Sequence, residues 1–167
     1  MKKLILITIA SFFILSCNND TKDLLKKSEF HLGVIEGNDS KSTIVNSFND
    51  AYLANDMSGQ NYFFSENATG RVNGQKMSPS QMIEAFMSGR EFYTDIKNKN
   101  RATGTFILDN GQVFTNTWFE WEGTSKSTGV KVSNPVHASF KWEGDKVVEV
   151  TYVFDSAEYV ANMGQEN

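Results

Sequence analysis

The feature that most constrains this chain is a run of alternating side chains across residues 112–155. Over residues 112–122 two sets interleave: Val113, Thr115, Thr117, Phe119 and Trp121 against Phe114, Asn116, Trp118 and Glu120. Successive side chains of a strand project to opposite faces, so this spacing predicts a strand with two different faces. A second strand is expected over residues 130–142, where Val136, Ala138, Phe140 and Trp142 alternate with His137, Ser139 and Lys141. A third is expected over residues 146–154, with Val148, Val150, Tyr152 and Phe154 against Val147, Glu149, Thr151 and Val153. Residues 123–129 have glycine at both ends and read as a loop or hairpin tip. Glu143-Gly144-Asp145 reads as a tight turn. Three adjacent long antiparallel strands twist into a curved sheet with a concave face to fill.

The earlier chain supplies the cover. Ile44, Val45, Phe48, Ala51 and Tyr52 recur at helical spacing, predicting a helix over residues 40–55 capped by Asp39 or Ser40. Residues 62–77 read as a hairpin turning at Asn73-Gly74. Ser78-Pro79 opens a second helix, expected to run to about residue 95 with Met82, Ile83, Phe86 and Met87 on its buried side. Residues 103–108 form a further strand, and Asp109-Asn110-Gly111 turns it into the central sheet. Asp155 is placed to cap a short helix reaching Met163.

A chain of 167 residues has room for one domain and a targeting segment. Thirteen phenylalanines and three tryptophans supply a sizeable core. The net charge of −4 and the lack of a basic stripe exclude nucleic acid as the expected partner.

The amino terminus carries its own signal. Lys2 and Lys3 precede a nearly all-apolar stretch from Leu4 to Leu15, too short to span a bilayer as a helix. Ile14-Leu15-Ser16-Cys17 resembles a bacterial lipobox, and Cys17 is the only cysteine. The resemblance implies that residues 1–16 are a lipoprotein signal peptide and that Cys17 is the site of lipid attachment. Several acyl chains hold a protein firmly on a bilayer. Asn18 follows the cysteine, where enteric inner-membrane lipoproteins have aspartate, so the expected location is the cell envelope at the outer membrane. Residues 17–38 read as a polar tether, with one helical turn over residues 23–30. His31 in it has no neighbours at metal-ligand spacing.

The order is helix, hairpin, helix, four antiparallel strands and a terminal helix. Within it lie Phe119-Glu120-Trp121-Glu122-Gly123, Phe140-Lys141-Trp142, Gly144-Asp145-Lys146-Val147-Val148 and Phe154-Asp155. In these runs residues 39–167 resemble the nuclear transport factor 2-like superfamily, SnoaL-like branch. The resemblance implies an α+β fold, a cone-shaped half-barrel whose curved antiparallel sheet is covered by helices around a pocket. It also implies a homodimer through the convex sheet face. There Trp118, Phe114 and Val153 form an aromatic and apolar patch, with Glu120 beside it. Ketosteroid isomerase shares the runs. Aligned on them, Phe48 stands at that enzyme's tyrosine, Val72 near its base and Ala138 near its acid. None of those three carries the chemistry.

The family register turns Thr115, Thr117, Phe119, Trp121, Ala138, Phe140, Trp142, Val150, Tyr152 and Phe154 inward. The expected ligand-binding set is Tyr152, Thr117, Trp121, Phe140, Trp142 and Phe154: a mainly apolar wall with a few hydroxyls. Tyr152 either contacts the ligand or is a core tyrosine reaching the rim. Trp121 and Trp142 either stack on a ligand or close the core. His137 has the parity of the convex face. No nucleophile motif, metal spacing or phosphate loop is present in the domain, so no catalytic residue, cofactor or metal is expected. The reading is a lipid-anchored domain that binds a small apolar molecule without catalysis. The alternative is a SnoaL-like isomerase, cyclase or hydratase using His137 or Tyr152 with water.

Overall fold

The computed structural model describes residues 33–164. The expected signal peptide, Cys17, the expected turn at residues 23–30 and His31 lie outside them. A seven-stranded sheet forms one face of the domain: β1 (Gly33–Glu36), β2 (Phe64–Val72), β3 (Gln75–Met77), β4 (Tyr93–Leu108), β5 (Val113–Ser125), β6 (Lys131–Glu143) and β7 (Lys146–Phe154). Their spatial order is β1-β4-β5-β6-β7-β2-β3. All neighbours are antiparallel except β2 and β7, which run parallel. Helices α1 (Ser40–Leu53) and α2 (Pro79–Ser88) and the short α3 (Ala157–Ala161) complete the fold. This is the curved α+β half-barrel that the alternation and the family resemblance predict.

Local sequence explains the boundaries. Asp39 caps α1, its carboxylate accepting from Lys41 N at 2.9 Å and Ser42 N at 3.1 Å. Ser78 and Gln81 form a reciprocal capping box at α2, with proline in its first turn. The β6–β7 turn falls at Gly144. Asp155 accepts from Ala157 N at 2.9 Å and so supports the start of α3.

Three expectations change. Helix α2 ends at Ser88 and passes through a 3₁₀ turn (Gly89–Glu91), rather than running to about residue 95. Strand β4 then starts at Tyr93, ten residues before the sequence pattern predicts. Its first half is interrupted twice. Asp95 and Asn100 adopt φ of 54° and 52°, and the pairing with β5 shifts register beside each. Such bulges break the two-residue period by which a strand is read. Strand β5 runs on through Gly123 to Ser125 instead of looping at Gly123. A Cβ at Gly123 would stand 2.5 Å from the Trp121 ring, so this glycine makes room for the indole. In addition, Gly33–Glu36 falls within the segment read as a tether, yet pairs with β4 as an edge strand.

The core lies between α1 and the sheet. Phe48 of α1 meets Phe63, Phe64 and Phe140 edge-on, at ring centroid distances of 5.5, 6.1 and 6.1 Å. Edge-on contacts suit the aromatic quadrupole and fix the height of the helix above the sheet. The inward parity holds: Thr115, Thr117, Ala138, Phe140 and Val150 are fully buried. Trp118 and Val153 on the opposite face are 42% and 54% exposed.

Candidate functional site

Under the second half of α1 the concave face is not filled. A cavity of about 210 Å³ remains. Helix α1 contributes Phe48, Asn49 and Tyr52, and α2 contributes Ala85 and Phe86. The sheet gives Val72, Phe119, Trp121, Asn134, Val136, Tyr152 and Phe154, and α3 gives Tyr159. Of the expected ligand-binding set, Tyr152, Trp121 and Phe154 are therefore on the wall. Thr117, Phe140 and Trp142 face inward but lie away from the cavity. Thr117 shares a 2.9 Å hydrogen bond with Thr103. Trp142 Nε1 donates to Thr115 Oγ1 at 2.9 Å, and Phe140 packs against Phe48 and Tyr152.

Tyr52 stands in the wall. Its hydroxyl accepts from Trp121 Nε1 at 3.0 Å, which pins the indole of one strand to the helix. Behind it, the Arg90 guanidinium lies 5.0 Å from the Tyr52 ring centroid. Its Nη2 donates to the carbonyls of Tyr52 and Leu53 at the end of α1. A cation there also complements the helix dipole. Phe86 of α2 meets Tyr152 edge-on at 4.9 Å. Tyr159 stacks on Tyr93 at 4.7 Å, and Tyr93 Oη donates to the Tyr159 carbonyl at 2.6 Å, which fixes α3 at the cavity.

Burial dominates the electrostatics. It pushes the Tyr152 hydroxyl far above its ordinary value, with Tyr52 adding a smaller push. Burial, followed by Tyr52 and Tyr93, raises Tyr159 to about 12. Tyr52 is raised by burial against the opposing effects of the Trp121 hydrogen bond and Arg90. All three hydroxyls are protonated at neutral pH, so they serve as hydrogen-bond donors and not as bases. No lining residue is Asp, Glu, His, Lys, Arg or Cys. Among the described residues no group of His, Cys, Asp and Glu is arranged to hold a metal.

His137 is on the convex side. Its ring stacks on Trp118 at 5.1 Å with an interplanar angle of 2°, and Nε2 lies 3.2 Å from Asn116 Oδ1. Burial lowers its pKa. The sheet separates it from the cavity, so a His137 general base has no access to a guest there.

Sequence reasoning missed Asn134, Asn49 and Tyr159, and counted Tyr52 as core. Asn134 was legible: it shares the parity of Val136 and Ala138, one step before the alternation was first read. Tyr159 had no signal, because the placement of α3 over the cavity depends on tertiary contacts.

No family model matches the chain, and no curated protein matches it in sequence. Solved structures do match. A candidate SnoaL-like polyketide cyclase from Shewanella putrefaciens is 12% identical, with a TM-score of 0.53 over 75% of this chain and 96% of that one. A hypothetical protein with a ketosteroid isomerase-like fold from Catenulispora acidiphila, in complex with trimethylamine, is 12% identical, with a TM-score of 0.54 over 74% and 93%. A candidate hydroxylase from Streptomyces galilaeus is 16% identical, with a TM-score of 0.58 over 74% and 80%. At these identities the likeness is one of fold. The fold is that of the nuclear transport factor 2-like proteins, the architecture that SnoaL-like cyclases and ketosteroid isomerases share.

Proposed function

We propose that the domain binds a small, largely apolar molecule in the cavity beneath α1 without transforming it. One observation carries this reading: the wall offers aromatic and aliphatic surface, hydroxyls and amides, and no group that accepts a proton at neutral pH. General acid–base chemistry needs such a group within reach of the reacting atom. Native mass spectrometry of protein recovered from its own host tests it. A retained, chemically unchanged small molecule is the expected result. An empty cavity, or a bound molecule present as substrate and product together, would overturn it.

The fold neighbours favour a second reading, because several are designated candidate polyketide cyclases or isomerases. On this reading Tyr52 and Tyr152 donate hydrogen bonds to an oxygen on which charge develops, while water takes the proton. Turnover of a cyclisable substrate that Tyr152→Phe abolishes, with binding retained, would establish it.

The proposal includes lipid anchorage through Cys17 at the bacterial outer membrane. It rests on the lipobox resemblance. Labelling with an alkynyl fatty acid, lost in Cys17→Ser, is the check. It also includes a homodimer through the convex face, supported by the exposed Trp118 and Val153. Trp118→Glu is expected to yield a monomer by analytical ultracentrifugation.

A further inference from the structure

The free edges of the sheet are not protected alike. An open edge carries unpaired N–H and C=O groups, and bulges, lysines, proline or brevity keep it from pairing with other chains. Strand β3, at one end of the sheet, is three residues long and carries Lys76. Strand β4 extends past β1 over residues 93–104. That stretch has the bulges at Asp95 and Asn100 and the cations Lys97, Lys99 and Arg101. Strand β1, at the other end, is almost as short as β3 but has no cation, bulge or proline. Its sequence is Gly33-Val34-Ile35-Glu36, it pairs without a break with residues 105–108 of β4, and no described strand lies on its other side. Val34 and Ile35 are 59% and 63% exposed, one on each face. Val34 stands opposite Ile107, which is itself exposed. Ile35 stands opposite Phe106, whose ring meets Trp118 of the convex face at 6.1 Å. β-Branched residues on both faces of an edge strand favour a further strand beside it.

We propose that β1 extends the sheet by pairing with β1 of a second copy of this chain, antiparallel about a two-fold axis. Opposite residues of antiparallel strands share a face, so two identical strands meet with Val34 opposite Val34 or with Ile35 opposite Ile35. The charge pattern admits both registers. Glu36 is the only charged residue of the strand, and two Glu36 carboxylates would face each other only with the axis at residue 36. A pairing of four residues is marginal by itself. The position of β1 in the chain offsets this. Residues 18–32 join it to Cys17 and reach at most about 50 Å. On the anchored reading given above, on which this step rests, copies on one leaflet are confined within that height and their β1 edges meet at high effective concentration. The contact is distinct from the convex-face dimer, because it runs edge to edge and includes Val34 on the other face of the sheet.

Disulfide formation tests this. Val34→Cys and Ile35→Cys are placed singly in the full chain, each together with Trp118→Glu so that the convex-face dimer does not contribute, and host membranes are oxidised. Opposite residues of antiparallel strands stand about 4.5–5.5 Å apart, within disulfide reach. One of the two positions is expected to give cross-linked dimer at least about fivefold above Lys76→Cys on the far edge and above the chain with no added cysteine. A lysine beside the reporter, Ile35→Lys with Val34→Cys or Val34→Lys with Ile35→Cys, should cut that yield at least about fivefold. Both side chains are exposed, so neither change disturbs the core. Repeating the oxidation in solution at about millimolar concentration with Cys17→Ser chains separates the pairing from the anchor. A cross-link in solution that is absent on membranes upholds the pairing and overturns the crowding by the anchor. Yields at both positions no higher than at Lys76→Cys in both settings would overturn the pairing, as would a cross-link that the neighbouring lysine leaves undiminished.

Discussion

At the first turn of α1, a network ending on Asp39 gathers polar groups from four elements, α1, β4, β5 and β6. Trp142 Nε1 donates to Thr115 Oγ1 at 2.9 Å, Thr115 shares 2.8 Å with Thr105, and Thr105 donates to Asp39 Oδ1 at 2.9 Å. Ser42 Oγ donates to Asp39 Oδ2 at 2.6 Å. A carboxylate only accepts, so every hydroxyl in this chain has one direction. At the last turn of the same helix stand Tyr52, Tyr152, Tyr159 and Asn134. Of these, only Tyr52 has a side-chain hydrogen bond among the described residues. Both regions place polar side chains between a helix and the same concave face. One closes on itself and pins α1 to the sheet. The other stays open around a cavity. The contrast teaches that polarity facing inward does not mark a site; polarity facing inward without a partner does.

The comparison can be broken by substitution, and the closed region should respond most. Asp39→Ala removes the cap of α1 and leaves Ser42 and Thr105 hydroxyls without their acceptor. The expected loss is about 2–4 kcal/mol in urea unfolding. A loss below about 1 kcal/mol would mean that the network does not hold the helix. Thr115→Val deprives the buried Trp142 Nε1 of its acceptor and should cost about 1–3 kcal/mol. Acid should act on the same region. Burial pushes the Asp39 carboxyl up, but hydrogen bonds from Ser42, Thr105 and Lys41 outweigh it and hold the pKa below 3.8. A group lowered on folding contributes stability that is present above its unfolded value and lost as pH falls through its folded value. The slope of stability against pH below about pH 4 should therefore flatten in Asp39→Asn.

The open region should respond weakly in stability and strongly in binding. At Gly89 a Cβ would collide with Tyr159 Oη, so the ring would have to shift in its stack on Tyr93 and against Trp121. Gly89→Ala should therefore change the affinity of a cavity guest, measured by calorimetric titration, since Tyr159 is part of the wall. Tyr152→Phe removes a hydroxyl that no described residue bonds, and its stability should stay within about 0.5 kcal/mol of the parent chain. A loss like that of Thr115→Val would show that the hydroxyl is already paired and that the two regions do not differ.

The sequence exposed the fold better than the site, and the reason is geometric. Alternation told which residues of β5, β6 and the later part of β7 face inward, and the bounds of β7 follow it directly. At the start of β7 a register shift between Lys141 and Trp142 turns Val147 into the core in place of the expected Val148. It could not tell which half of the concave face each residue meets. Thr117 and Trp142 have the same parity as Trp121, but they stand under the first half of α1, where Thr103 and Thr115 consume their polar atoms. Strand β4 stayed partly hidden because its bulges at Asp95 and Asn100 erase the period.

The parallel join between β2 and β7 also bears on how the chain is made. Among the described residues, strand β2 pairs with the three-residue β3 and with β7 alone. The hairpin and the helix bearing Phe86 therefore gain their strand partner in the rest of the sheet only when residues 147–152 join it. Pairing over such a span of chain is slow, and unpaired strand edges invite contact with other chains in the meantime. The wall that carries Tyr152 thus depends on the pairing of β2 with β7, which joins residues farther apart in the chain than any other pairing in the sheet.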